Sequence, residues 1–185
     1  MIAERSLNPL WQQDDSTASS VRDLICEPCE IETARRLNQA WHSRLPDTQT
    51  GPWQYAFAAH KNGWVYAVAL WHNPSARMLP SHWLELRRLA VADDAPHCCA
   101  SWMLARMRQW FRHNAANRER LISYQDKDVH TGTIYRAAGW TAAYESSPRV
   151  RDRSKPRVGT RRSYRSNLNG SPADAAGKVR WEITL

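Results

Sequence analysis

Apolar and polar positions alternate along this chain with two different periods. Between Ile31 and Trp41 the apolar or small residues fall at Ile31, Ala34, Leu37 and Trp41, the spacing of one helical face. From about His97 to Phe111 a second face reads Ser101, Leu104, Met107 and Phe111, with Met103 and Trp110 alongside. Shorter runs with strand character occupy Val21–Ile25, Trp53–Ala59, Trp64–Trp71, Trp83–Val91, Arg120–Tyr124, Thr141–Tyr144 and Lys178–Thr184. Asn62-Gly63, between the second and third runs, is a strong hairpin signal. A third, short helix is predicted over Ile134–Ala138. It ends at Gly139, and either Thr131 or Thr133 is placed to cap it. The predicted order is β-α-β-β-β-α-β-α-β-β without an internal repeat. This is an α/β fold in one domain, residues 21–185, after a flexible polar arm over residues 1–20.

The chain has 185 residues, enough for one domain with a sizeable core. It contains no apolar run of about 18 residues, so no membrane helix is expected. The opening MIAERSLNPLWQQDDSTASS lacks the apolar centre of a signal peptide, and a cytoplasmic location is expected. Of the four cysteines, Cys26 and Cys29 form a C-x-x-C pair, but Cys98 and Cys99 are adjacent. That spacing does not match a zinc site, so reduced thiols and no metal are expected.

The net charge of +8 is concentrated in one place. Arg149, Arg151, Arg153, Lys155, Arg157, Arg161, Arg162 and Arg165 face Asp152 alone, while the rest of the chain is nearly balanced. They lie in an insertion at about 147–177, between the last two predicted strands. Arginines alternating along a proline-containing segment suit contacts to a nucleic-acid backbone; double-stranded DNA is the expected partner, and no membrane. Ten tryptophans are many for this length. Trp64, Trp71, Trp102 and Trp110 fit core positions, whereas Trp41 and Trp53 flank loops where they can stack on a base or pack inward.

The richest stretch for chemistry is Arg120–Trp140, a strand, a polar loop and the short helix. Ligands of open α/β sheets sit beyond the carboxyl ends of strands. Tyr124, Asp126, His130 and Tyr135 are therefore candidates on position alone.

The element order resembles the GNAT acetyltransferase fold, a mixed central sheet flanked by helices. Ile134-Tyr135-Arg136-Ala137-Ala138-Gly139-Trp140 resembles its tyrosine helix, which ends in Gly-aromatic. The resemblance implies that Tyr135 protonates the leaving group and that acetyl-CoA is the donor. The chain departs from the pattern where the pyrophosphate loop belongs. Ala92-Asp93-Asp94-Ala95-Pro96-His97-Cys98 has no glycine, Pro96 lacks an amide donor, and two carboxylates stand where a pyrophosphate would lie. The donor is accordingly left open.

A narrower similarity is to phage Mom-type proteins, a GNAT-like group that carbamoylmethylates the adenine amine and so protects DNA from restriction. It rests on Trp41-His42-Ser43-Arg44-Leu45-Pro46, on Leu84-Glu85-Leu86-Arg87-Arg88-Leu89, on Ser101, on Arg136-Ala137-Ala138-Gly139-Trp140, and on a basic tail ending in Arg180-Trp181-Glu182. Within it His42 orients the base or takes a proton, or else simply closes a helix. Arg88 binds an anion or an oxyanion. On an alternating strand, Arg87 and Arg88 are expected on opposite faces. Ser101 contributes to the site or is a small residue at a helix start. Asp126 accepts a proton or forms a turn beside Lys127 and Asp128, and His130 is the alternative base or a cap. The resemblance implies a DNA-modifying transferase of phage or prophage origin. A CoA-dependent N-acetyltransferase and a non-catalytic nucleic-acid-binding module are the competing readings.

Overall fold

Asn62 and Gly63 both take positive φ, 48° and 85°, the tight turn that suits the twist of a hairpin. They join β2 (Tyr55–Lys61) to β3 (Trp64–His72), with Lys61 opposite Trp64. The structure is a computed structural model that describes residues 17–42, 45–48, 51–76, 78–147 and 177–185. The other strands are β1 (Ile25–Pro28), β4 (Trp83–Val91), β5 (Arg120–Asp126), β6 (Thr141–Ser146) and β7 (Lys178–Thr184). They form one mixed sheet in the order β1-β2-β3-β4-β5-β7-β6, in which β4 and β5 are parallel and every other pair is antiparallel.

Helix α2 (Cys99–Asn114) covers one face of the sheet and α1 (Ile31–Trp41) the other. On the α2 side, Phe111 meets Phe57, Trp71 and Trp110 edge-on at 5.3, 5.1 and 5.4 Å. On the α1 side, Ala34 and Leu37 seat on Ala56, Ala58, Val68 and Leu70. Each large side chain so buried contributes on the order of 1.5–3 kcal/mol. Trp71 is fully buried, and Trp64, Trp102 and Trp110 pack half-buried against the same core.

The first strand lies further along than its apolar pattern predicts. Ser20 and Asp23 form a reciprocal capping box, which turns Val21–Asp23 into a single helical turn and delays β1 to Ile25. Ala18, just before this turn, is buried. The Ala18 amide donates to the buried Tyr66 hydroxyl at 2.8 Å.

The cap of the short helix α3 (Thr133–Ala137) is also different. Neither threonine side chain caps it; the Thr131 and Thr133 hydroxyls bond each other at 2.8 Å, and Gly132 takes the cap position at φ 76°. A Cβ at position 132 would lie 2.5 Å from both Gln125 Oε1 and the Trp181 ring, so close approach as well as conformation demands glycine. Gly139, at φ 77°, ends the segment as expected.

The feature that positions the site is the parting of β4 from β5. Their parallel pairing covers Trp83–Leu86 against Arg120–Ser123 and stops there. Just past it β4 bulges: Trp71 of β3 pairs with Leu86 and Leu70 with Arg88, leaving Arg87 as the extra residue. A bulge bends its strand and increases its twist, which turns β4 away from β5 and opens a notch between them.

Candidate active site

Leu86 and Ser123 are the last paired residues before the notch. The Ser123 hydroxyl lies 3.2 Å from the Leu86 carbonyl oxygen and 2.9 Å from the Tyr135 hydroxyl. Helix α3 thereby sets the Tyr135 phenol at the vertex of the notch. Its ring is stacked on Trp181 at 5.3 Å and 12°, with Trp140 edge-on at 5.7 Å. The Trp181 indole donates to Gln125 Oε1 at 2.7 Å, and the Gln125 amide donates to the His130 carbonyl. Burial pushes the phenol's pKa up, against the opposing pull of the Ser123 bond. Tyr135 therefore keeps its proton near neutrality and is suited to donate it.

The bulge also decides where the paired arginines go. Arg87 does not point away from Arg88. Arg87 bonds Glu85 Oε1 at 3.0 Å, Arg88 reaches the Asp47 carbonyl at 3.1 Å, and both lie on the α1 side of the sheet. The extra residue cancels the strict alternation on which the opposite-face expectation rests. Arg88 donates only to backbone carbonyls, those of Arg87 and Asp47, and its Nε is buried without a partner. Among the described residues no carboxylate stands within ion-pair distance of it. Burial, followed by the neighbouring Arg87, brings its pKa down to about 10, so it remains a cation.

His42 closes α1 through its backbone, donating to the Asn38 carbonyl at 2.8 Å. Its Nδ1 accepts the Leu45 amide at 3.3 Å, which leaves the neutral ring's proton on Nε2. Its pKa is lowered by burial first, then by Arg88 and then by His130. Three residues singled out in the sequence, His42, Arg88 and His130, thus share one electrostatic neighbourhood.

The remaining candidates are distributed around these two groups. Tyr124 is half-buried on the opposite side of β5 from Ser123; its pKa is raised by burial and then by Glu85, with Arg180 pulling the other way. Asp126 ends β5 and accepts the Asp128 amide at 3.1 Å, so its carboxylate shapes the turn that carries His130. His130 is exposed, and its amide donates to the Asp126 carbonyl. Ser101 donates to the Cys98 carbonyl at 3.0 Å within the first turn of α2. Trp41 and Trp53 pack half-buried on the α1-side core, and the Trp53 indole donates to the Thr48 carbonyl at 2.9 Å. The basic series Arg149 to Arg165 lies outside the described residues.

The sequence reading assigns no role to the buried Glu85 and His72, nor to Ser123 and Glu182. Glu85 is 1% exposed and holds the Ser75 amide at 2.8 Å together with Arg87. His72 lies opposite Glu85 in register and 5.5 Å from the Trp53 ring. Glu85-Leu86-Arg87, an acid and a base two residues apart on a strand, was the available signal for the first.

The loop before α2 departs from a glycine-rich pyrophosphate cradle in charge and in free amides. Asp93 and Asp94 are exposed, Pro96 has no amide proton, and the amides of Ala92, Ala95 and Cys99 are already bound to Tyr66, Ala92 and Pro96 carbonyls. Cys26 and Cys29 are free thiols pushed up to about 12 by burial. No helix among the described residues is long and apolar enough to cross a membrane.

A family model describing the Mom protein family matches residues 48–177. This chain belongs to the Mom protein family. Its fold is that of GNAT acetyltransferases. The ribosomal-protein-S18-alanine N-acetyltransferase of Escherichia coli superposes with TM-score 0.52 at 13% identity, over 87% of this chain and 93% of that one. An IAA acetyltransferase of Bacillus cereus gives 0.56 at 11%, over 88% and 99%. A Bacillus subtilis acetyltransferase in complex with CoA gives 0.56 at 10%, over 88% and 99%. At these identities the likeness is one of fold. No curated protein matches the sequence.

Proposed function

We propose that this Mom-family protein is a DNA-modifying transferase of phage or prophage origin. It adds a small carbamoylmethyl-like group to the exocyclic amine of adenine, which protects the DNA from restriction. The observation that carries this reading is the protonated Tyr135 phenol at the vertex of the β4–β5 notch. Membership of the Mom family supports a DNA substrate, and the Arg149–Arg165 series supports a polyanionic partner.

The chemistry needs a base out of its stack, a donor carbon beside it and a path for protons. In the proposed step the amine nitrogen bonds to the donor carbon and the bond to the leaving group breaks. Tyr135 gives its proton to the departing atom, while a proton leaves the amine towards Asp126 or His130. Arg88, a cation that bonds only backbone carbonyls, holds the donor's negative charge, and the Nε2 proton of His42 orients an acceptor next to it. The loop before α2 does not fit acetyl-CoA, so no step is routed through it.

The test is chemical. DNA from bacteria expressing the protein is digested to nucleosides and weighed; a mass-shifted deoxyadenosine, absent with Tyr135→Phe, is the expected result. Unmodified adenine from folded protein supplied with phage-infected cell extract would overturn the reading. A CoA-dependent acetyltransferase is the second reading, favoured by the shared fold, and thermal stabilisation by acetyl-CoA would select it.

A further inference from the structure

Two buried glutamates occupy one row of the sheet on the α1 side. Glu85 of β4 and Glu182 of β7 both lie opposite Ile122 of β5, and they are 1% and 4% exposed. Each carboxylate grips arginine. Glu85 holds Arg87, while Glu182 takes Arg180 Nε at 2.7 Å and Arg120 at 2.5 Å. Burying such clusters costs desolvation that an apolar row would avoid, so they are poorly explained as stabilisers. What they do accomplish is to fix guanidinium groups above them, with the negative charge underneath and the positive charge outward.

The next row carries Tyr124 on β5, Arg180 on β7 and Tyr144 on β6, in register. Arg180 lies opposite Tyr124 in register and 5.5 Å from the centre of the Tyr144 ring. Tyr144 is 52% exposed, on a strand whose residues are nearly all exposed. Helix α1 packs on β2, β3 and β4, short of this half of the sheet. The row thus combines a guanidinium with an exposed aromatic ring and runs from β5, which borders the notch, across β7 to the edge strand β6. The chain between β6 and β7, the two strands that carry Tyr144 and Arg180, is the one that contains Arg149–Arg165.

The geometry points to the Tyr124–Arg180–Tyr144 row as a nucleic-acid platform. It takes a nucleotide flanking the target base, with Tyr144 stacked on the base and Arg180 and Arg87 facing the phosphodiester. Aromatic rings that stack on bases beside cationic groups that follow the backbone are the general means of holding a single-stranded stretch, which extrusion of a base creates. The inference rests on DNA being the substrate, and it names which described surface meets the strand.

Fluorescence anisotropy of a labelled oligonucleotide, titrated with the full chain across a salt series, tests it. Tyr144→Ala is expected to weaken binding roughly tenfold with little change in salt slope, and Tyr144→Trp to restore it. Arg180→Gln is expected to flatten the log–log salt slope by about one phosphate contact. Parent protein that binds DNA while Tyr144→Ala and Arg180→Gln bind equally well overturns the platform alone. Parent protein that binds no DNA at any salt overturns the substrate reading with it. Polyglutamate that competes with DNA and is equally sensitive to Tyr144→Ala would make the row an acidic-protein dock and overturn the platform. Should Arg180→Gln fail to fold, the exposed Tyr144 pair of variants decides the matter.

Discussion

The Tyr135 hydroxyl lies 2.9 Å from the Ser123 hydroxyl, which itself reaches the last paired carbonyl of β4 at Leu86. One bond therefore ties the candidate acid to the point where the sheet opens. Tyr135→Phe keeps the ring that stacks on Trp181 and removes only the donor. Turnover should fall by about 10²–10⁴-fold, the usual worth of a positioned acid, with DNA affinity unchanged. Single-turnover formation of the modified nucleoside measures the first quantity and anisotropy the second. Equal loss of both would make Tyr135 a packing residue.

Arg88 offers a sharper separation of stability from function. Its two bonds go to backbone carbonyls, its burial is costly, and Asp47 and Glu85 act on it through their charges without an ion pair. Arg88→Met should leave the urea midpoint unchanged or higher while activity collapses. His42 should respond as well, because Arg88 is the second cause of its lowered pKa after burial. Imidazole NMR titration should show the His42 value rising towards 6.5 in the variant.

Much of this fold is legible in the sequence where a local rule acts alone. Asn62-Gly63 specifies its hairpin, the Ile31–Trp41 spacing specifies α1, and Ile134–Gly139 marks the tyrosine helix. Legibility fails where distant residues decide. The bulge at Arg87 depends on how β3 meets β4, and it reverses the facing of one arginine. Glu182 is buried because Arg120, 62 positions away, and Arg180 converge on it, which no window along the chain reveals. The β1 shift is the opposite case, a readable Ser20–Asp23 capping box masked by the apolar Val21, Leu24 and Ile25 beside it. Site chemistry followed the same division. Tyr135 announced itself by its motif, but its serine partner comes from the neighbouring strand.

Gly132 should tolerate no side chain. A Cβ there meets Gln125 and Trp181, and φ of 76° is itself costly for an L residue by about 1–2 kcal/mol. Gly132→Ala should lower stability by at least that amount in urea unfolding and displace Trp181 from Tyr135. A shift in tryptophan fluorescence of the folded variant, together with reduced turnover, would report the displacement. A variant with parent stability and spectrum would show that the Thr131–Thr133 turn, and not glycine, sets the start of α3.

Stability should fall with acid through two histidines. His42 and His72 both have pKa values lowered from 6.5, in each case chiefly by burial. Above 6.5 neither the folded nor the unfolded chain carries these charges, and the full stability is present. As pH drops through 6.5 the unfolded chain binds protons that the folded one refuses, so the equilibrium moves towards unfolding until the lowered folded-state values are passed. Urea midpoints measured between about pH 7.5 and 5 should therefore decline towards the acid end, and His42→Gln or His72→Gln should flatten the decline. Activity should fall for a separate reason, at a pH below 6.5, where the folded His42 takes up its proton. A protonated His42 places a new cation beside Arg88 and His130 and withdraws the Nδ1 acceptor from the Leu45 amide. A midpoint that stays level to the acid end in the parent protein would mean that both imidazoles are protonated as readily in the folded chain as in the unfolded one.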